Sequence, residues 1–159
     1  IFYVYDCYRA SKASPTVHAS VIRGRPNFIP IAYPHDGNRR DSMGNPGLAD
    51  QYRNMGCNFL LEHFTNPPAL GANKGSNSIE EGLMAMLQAV EAGKFKVFST
   101  LSDWFEEFRM YHRKDNKVVP LRDDLMSSTR YAFQSQRFAV AGEDPTWTKD
   151  LEYKNYGII

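Results

Sequence analysis

The run Phe28-Ile29-Pro30-Ile31-Ala32-Tyr33-Pro34-His35-Asp36-Gly37 constrains this chain most. A short apolar stretch bounded by turn residues reads as a buried strand. This one ends in an acid followed directly by glycine. In an open α/β sheet, ligands lie outside the carboxyl ends of the strands, so Asp36 at such a tip is placed for chemistry. The plainer reading is that an acid after a strand simply forms the turn. The segments around it have to decide between the two.

Residues 1–8 are dense in aromatic and β-branched side chains and predict a strand, with its sheet partners expected upstream of Ile1. Thr16 is expected to cap a short helix carrying Val17, Val21 and Ile22, closed by Gly24. Leu48, Tyr52 and Met55 mark one face of a second helix, stopped by Gly56. Residues 58–64 predict another strand, and 65–78 a loop rich in Pro, Gly and Asn whose only charge is Lys74. Ser78-Ile79-Glu80-Glu81 matches a capping box. The helix it opens should turn Ile79, Leu83, Met86, Leu87 and Val90 to one side, its methionines acting as core filler, and Gly93 should end it.

Residues 94–99 predict a strand. Thr100-Leu101-Ser102-Asp103 is a second capping signal, ahead of a helix with Leu101, Trp104, Phe105, Phe108 and Tyr111 inward. Asp115-Asn116 makes a turn, and a last helix is expected over about 123–138. Residues 141–159 carry Trp147, Tyr153 and Tyr156 without a clear period and are expected to be a docking tail. Alternating strands and helices give an α/β layered domain with parallel pairings. At 159 residues, one domain is expected.

Charge limits what such a domain can bind. Its 19 basic and 18 acidic residues leave a formal charge of +1, so a nucleic-acid partner must be held by a local patch. Cys7 and Cys57 lack metal-ligand spacing and suggest reduced thiols. No signal peptide and no long apolar span are visible in the sequence, which argues against secretion and membrane insertion.

Asp36, Asp123 and Asp124 are the first candidates for chemistry. Carboxylates at the ends of secondary elements suit Mg²⁺ or Mn²⁺, which prefer oxygen ligands and are often held by one or two carboxylates plus substrate phosphate. Against this, acids in a first helical turn commonly cap free N–H groups. Arg39, Arg40, Lys74 and Arg130 could surround such a site and contact phosphates, or be a scatter of solvated charges. His35 invites a base or ligand role, but a histidine beside a strand end is more often a hydrogen-bonding residue. Gly71-Ala72-Asn73-Lys74-Gly75-Ser76 lacks the Walker spacing, which argues against an ATPase motor in this segment.

The Tyr33-Pro34-His35-Asp36-Gly37 strand end, the Lys74-to-Glu81 helix entry and Arg122-Asp123-Asp124-Leu125…Arg130-Tyr131-Ala132 occur in this order. Together they resemble the nuclease domain of the large terminase subunit of tailed bacteriophages. The likeness is nearest to headful-packaging members from short-tailed Salmonella phages. It implies a ribonuclease H-like fold, a central mixed sheet flanked by helices, and a nuclease site with two Mg²⁺ or Mn²⁺ ions between three acids. Asp36 matches the second acid and Asp123-Asp124 the third, with Asp124 favoured because it shares an exposed side with Ser127 and Ser128. The first acid has no match, and Asp6 is a poor substitute.

The resemblance further implies two-metal hydrolysis of double-stranded viral DNA, with Arg39, Arg40, Lys74 and Arg130 on the duplex backbone and His35 behind the ligands. It implies an N-terminal ATPase domain in the same full-length chain, portal and small-terminase partners, and a place in the host cytoplasm at the procapsid. Two rival readings stand beside it. One is a catalytically silent domain that docks on DNA or portal; the other is a ribonuclease H-like enzyme such as a junction resolvase.

Overall fold

The computed structural model describes residues 1–40 and 42–141. Strand β1, Phe2–Val4, pairs in parallel with β2, Phe95–Val97, in the register Phe2↔Phe95 to Val4↔Val97. Three helices pack around this pair: α3 (Ile79–Glu91), α4 (Ser102–Met110) and α5 (Asp124–Gln134). Val4, Phe95, Trp104, Leu125 and Met126 form the buried core, with Phe2, Met86, Ala89, Phe105 and Phe133 against it. The Phe2 ring stacks on Phe95 and meets Phe133 edge-on, both at 5.3 Å. The Trp104 indole is buried, and its Nε1 donates to Thr129 Oγ1 at 2.9 Å, which satisfies the one polar group it carries inside.

A second packing unit holds the Asp36 segment. Helices α1 (Pro15–Arg23) and α2 (Leu48–Asn54) bury Ala19 and Ala49, and Tyr52 stacks flat on Phe59 with centroids 5.0 Å apart. The expected strands at 28–37 and 58–64 meet in one parallel bridge, Ile31↔Phe59. Pro30 and Pro34 flank that contact. The chain then curls, and His35–Asn38 forms a 3₁₀ turn. Asp36 therefore lies in that turn, beyond the extended backbone.

Several local expectations shift in the structure. The α1 cap is Ser14, whose Oγ accepts from Val17 N at 3.4 Å, because Pro15 takes the first helical position. The cap of α3 forms as expected from Ser78 to Glu81 N. Its reciprocal half does not, since the Glu81 carboxylate instead accepts from Ser76 Oγ. Helix α4 begins at Ser102 with no side-chain cap. The Asp115-Asn116 turn joins β3 (Arg113–Lys114) and β4 (Lys117–Val118) as an antiparallel hairpin. The last helix stops at Gln134, and Gln136–Phe138 continues as a 3₁₀ turn. The docking tail expected over 141–159 lies outside the described residues, apart from Ala141. Among the described residues, no helix is long and apolar enough to cross a membrane.

Among the described residues the strands form two pairs and a bridge, without one continuous sheet. Between β1 and the 29–32 segment runs a cleft of about 540 Å³, lined by Phe2, Tyr3, Ile31, Ala32, Ser128 and Ala132.

Candidate active site

Asp36 is exposed and held from beneath. Tyr33 is 4% exposed, and its hydroxyl lies 3.0 Å from Asn38 Oδ1 and 3.1 Å from the Leu61 carbonyl. Arg53 of α2 donates to that hydroxyl at 2.9 Å and also to the Leu60 carbonyl, with its guanidinium over the Tyr33 ring. Gly37 closes against this ring, and a Cβ there would meet Tyr33 Cδ2 at 2.7 Å. The turn bearing Asp36 is thus fixed by its neighbours, and among the described residues no ion pair occupies its carboxylate.

Asp123 and Asp124 open α5. A helix start leaves several backbone N–H groups free, and an acid at that position usually takes one of them. Asp123 makes no such side-chain cap; its Oδ2 accepts from Ser127 Oγ at 3.4 Å. The role passes to Glu107 of α4. Its carboxylate is fully buried, accepts from Met126 N at 2.7 Å and pairs with Arg9 at 3.1 Å. Asp124 stays exposed on the same side as Ser128, while Leu125, Met126, Thr129 and Arg130 turn inward. The Ser128 hydroxyl itself donates back to the Asp124 carbonyl at 2.6 Å.

One aromatic contact joins the two acid-bearing pieces. Phe64 N donates to the Tyr33 carbonyl at 2.7 Å, and the Phe64 ring lies 4.6 Å from Tyr131 of α5. The Arg130 guanidinium covers both rings, at 5.4 Å and 4.7 Å from their centroids. Above it, α3 supplies Gly82, where a Cβ would fall 2.7 Å from Arg130 Cδ. Arg130 is 4% exposed. This corrects its expected role as a backbone phosphate contact: it lies inside the fold and braces α5 against the Asp36 segment.

Arg39, Arg40 and Lys74 are exposed, as a phosphate contact requires. The loop bearing Lys74 is closed by Asn66, fully buried, whose Nδ2 donates to Ser76 Oγ at 3.0 Å and to the Ser78 carbonyl at 2.9 Å. His35 is exposed, with its ring 6.4 Å from that of His63. Asp6 is paired with Arg25 at 2.5 Å, so its carboxylate already has a cation partner. Among the described residues, no group of three or more His, Cys, Asp or Glu side chains is arranged to hold a metal ion. The free carboxylates of Asp36 and Asp124 suit Mg²⁺ or Mn²⁺ in kind, and fall short of a closed ligand set in number.

The family model for the terminase RNaseH-like domain matches residues 1–136. The chain belongs to this family. It is 36% identical over 140 residues to the large terminase subunit of Salmonella phage P22, covering 87% of this chain. The large terminase subunit of Enterobacteria phage LP7 is 35% identical over 134 residues. The chain spans 27% of the length of each of these relatives. The solved nuclease domain of the P22 large terminase superimposes with a TM-score of 0.74 at 35% identity, covering 87% of this chain and 69% of that one. The α/β, ribonuclease H-like fold expected from the motifs is therefore the fold of this terminase domain.

Three residues that position the candidate site were missed in the sequence reading. Glu107 sits within a charged Glu-Glu pair and reads as solvated surface. Arg53 follows Asp50 at helical spacing and reads as half of a surface pair, which it also makes at 2.6 Å. Asn66 is one of several loop asparagines. None carries a local signal, because each role depends on partners distant in sequence.

Proposed function

We propose that this domain is the cutting module of a phage DNA-packaging terminase. It is a metal-dependent endonuclease that hydrolyses concatemeric double-stranded viral DNA, largely without regard to sequence, when a procapsid is full. The observation that carries this reading is the release of the acids from structural duty. Glu107 caps α5 in place of Asp123, with Asp124 exposed beside it, and the Tyr33–Arg53 platform holds the Asp36 turn, whose carboxylate has no ion pair among the described residues.

Asp36 and Asp124 would hold Mg²⁺ or Mn²⁺, two ions in all, with Asp123 beside them and His35 behind. Bound there, the ions would activate the attacking water and offset charge on the leaving 3′ oxygen. The chain's own share is to orient these carboxylates and to grip the duplex. Arg39, Arg40 and Lys74 contact phosphates and carry no sequence information. The same full-length chain would supply an N-terminal ATPase motor, and the portal and the small terminase subunit would be its partners at the procapsid, in the host cytoplasm.

Mn²⁺ calorimetry and plasmid cleavage on the wild type and on Asp36→Ala and Asp124→Ala test this. Loss of both binding and cutting in each variant is the expected result. Unchanged Mn²⁺ binding in both variants would overturn it. A silent DNA-docking domain is the second reading, favoured by the incomplete acid set and the pairing of Asp6 with Arg25. Duplex binding without any cutting in Mg²⁺ or Mn²⁺ would establish that one. A strong preference for branched over linear DNA would point to a junction resolvase.

A further inference from the structure

The charge of this chain is nearly balanced, yet residues 109–122 hold five lysines and arginines against one acid. At their centre is the β3–β4 hairpin, in which Lys114 stands directly opposite Lys117. Both turn residues between them have positive φ, 50° at Asp115 and 60° at Asn116, as in the two-residue turn that suits a twisted hairpin. Like charges directly opposite each other destabilise a strand pair. Two of the other three cations of the segment find carboxylates: Arg113 pairs with Glu80, and Arg122 with Glu106 at 2.9 Å. Among the described residues neither lysine has an ion pair, and both are exposed. The hairpin therefore presents two uncompensated ammonium groups on one edge.

Its position is set by the elements that flank it. The Arg113–Glu80 pair ties it to the head of α3, and residues 119–122 lead straight into Asp123 and Asp124. At its base, the Tyr111 phenol feels Arg130, Asp123, Glu80 and Arg113 together. We propose that this hairpin is a second grip on the DNA backbone, with Lys114 and Lys117 on neighbouring phosphates of the duplex beside the α5 acids. It rests on the nuclease reading above for its substrate. Phosphate supplies the counter-charge that the lysine pair lacks, and flexible ammonium stems suit a backbone contact that reads no bases.

The test is anisotropy of a labelled linear duplex with the full chain in EDTA, over a salt series. For Lys114→Gln/Lys117→Gln, the slope of log affinity against log salt should shallow by about 1.8, since each phosphate contact contributes about 0.9. Affinity at about 0.1 M salt should drop roughly ten- to a hundredfold. Lys114→Arg/Lys117→Arg should keep the wild-type slope, and Lys12→Gln, an exposed cation elsewhere, should not alter it. An unchanged slope in the glutamine variant would overturn the proposal, as would an equal loss in Lys12→Gln. An acidic protein partner on the hairpin corresponds to the first of these outcomes. Wild type that shows the lysine-dependent slope but never cuts leaves the grip standing and removes the nuclease. Wild type that cuts while the glutamine variant keeps its slope does the reverse.

Discussion

Asp123 opens α5 without capping it, and that single substitution of roles shapes the site. Glu107 reaches from α4 to the Met126 amide and holds Arg9 with its other oxygen. Breaking a buried pair leaves one charge uncompensated and costs about 3–5 kcal/mol. Arg9 is partly exposed, so Glu107→Ala should lose about 3 kcal/mol in urea unfolding. Glu107→Gln, which keeps an acceptor for the amide, should lose less. Equal losses in the two would mean that charge, and not the capping bond, is what matters there. Gly37 is the other decisive residue. Gly37→Ala sets a methyl 2.7 Å from the buried Tyr33 ring, and overpacking of that kind costs about 1–3 kcal/mol. Because the displaced atoms belong to the Asp36 turn, Mn²⁺ affinity should fall along with stability. A Gly37→Ala protein that binds Mn²⁺ as well as wild type would uncouple the turn from the site.

At the scale of elements, α3 and α5 meet through the space a missing side chain leaves. Alanine is about 1 kcal/mol better than glycine within a helix, yet Gly82→Ala places a carbon 2.7 Å from Arg130 Cδ and 2.9 Å from Cγ. The net effect should be a loss of about 1–2 kcal/mol, read in thermal or urea melts; a gain would show that Arg130 can move aside freely. This contact also explains an error of sequence reading. Ile79, Leu87 and Val90 looked inward by period, but they are 45%, 48% and 53% exposed, and Gly82, Met86 and Ala89 face α5 and the core. Two small residues brought the neighbouring helix to the less apolar side. Helix existence, the Ser78 cap and the β1 and β2 strands were all readable from local pattern. So were Asp36 and Asp124 as exposed acids at element ends. Glu107, Arg53 and the inward turn of Arg130 were not, since what fixes them is packing between segments far apart in sequence.

For the whole molecule, alkaline pH is the revealing variable. Burial pushes the Cys57 thiol above its ordinary 9.0 and the Tyr111 phenol above its ordinary 10.0, with Asp123 and Glu80 adding to the latter and Arg130 opposing. In each case the folded state favours the neutral form. The resulting stability is fully present below the unfolded values and is lost as pH rises through the folded ones. Melting temperature should therefore hold near neutral pH and decline past pH 9 and again past pH 10. Burial raises the Cys7 thiol in the same direction, so Cys7→Ala/Cys57→Ala together should flatten the first decline; an unchanged curve would place its cause elsewhere.

The seating of Arg130 beneath Gly82 has a consequence for descent. Positions 64, 82, 130 and 131 form one packing unit, since the methylenes of Arg130 occupy the place where residue 82 would carry its first carbon. A lineage that shortens residue 130 loses the cover over both rings and at the same stroke frees position 82 to grow a side chain. Drift at these sites should therefore be paired, with glycine at 82 travelling with a long residue at 130.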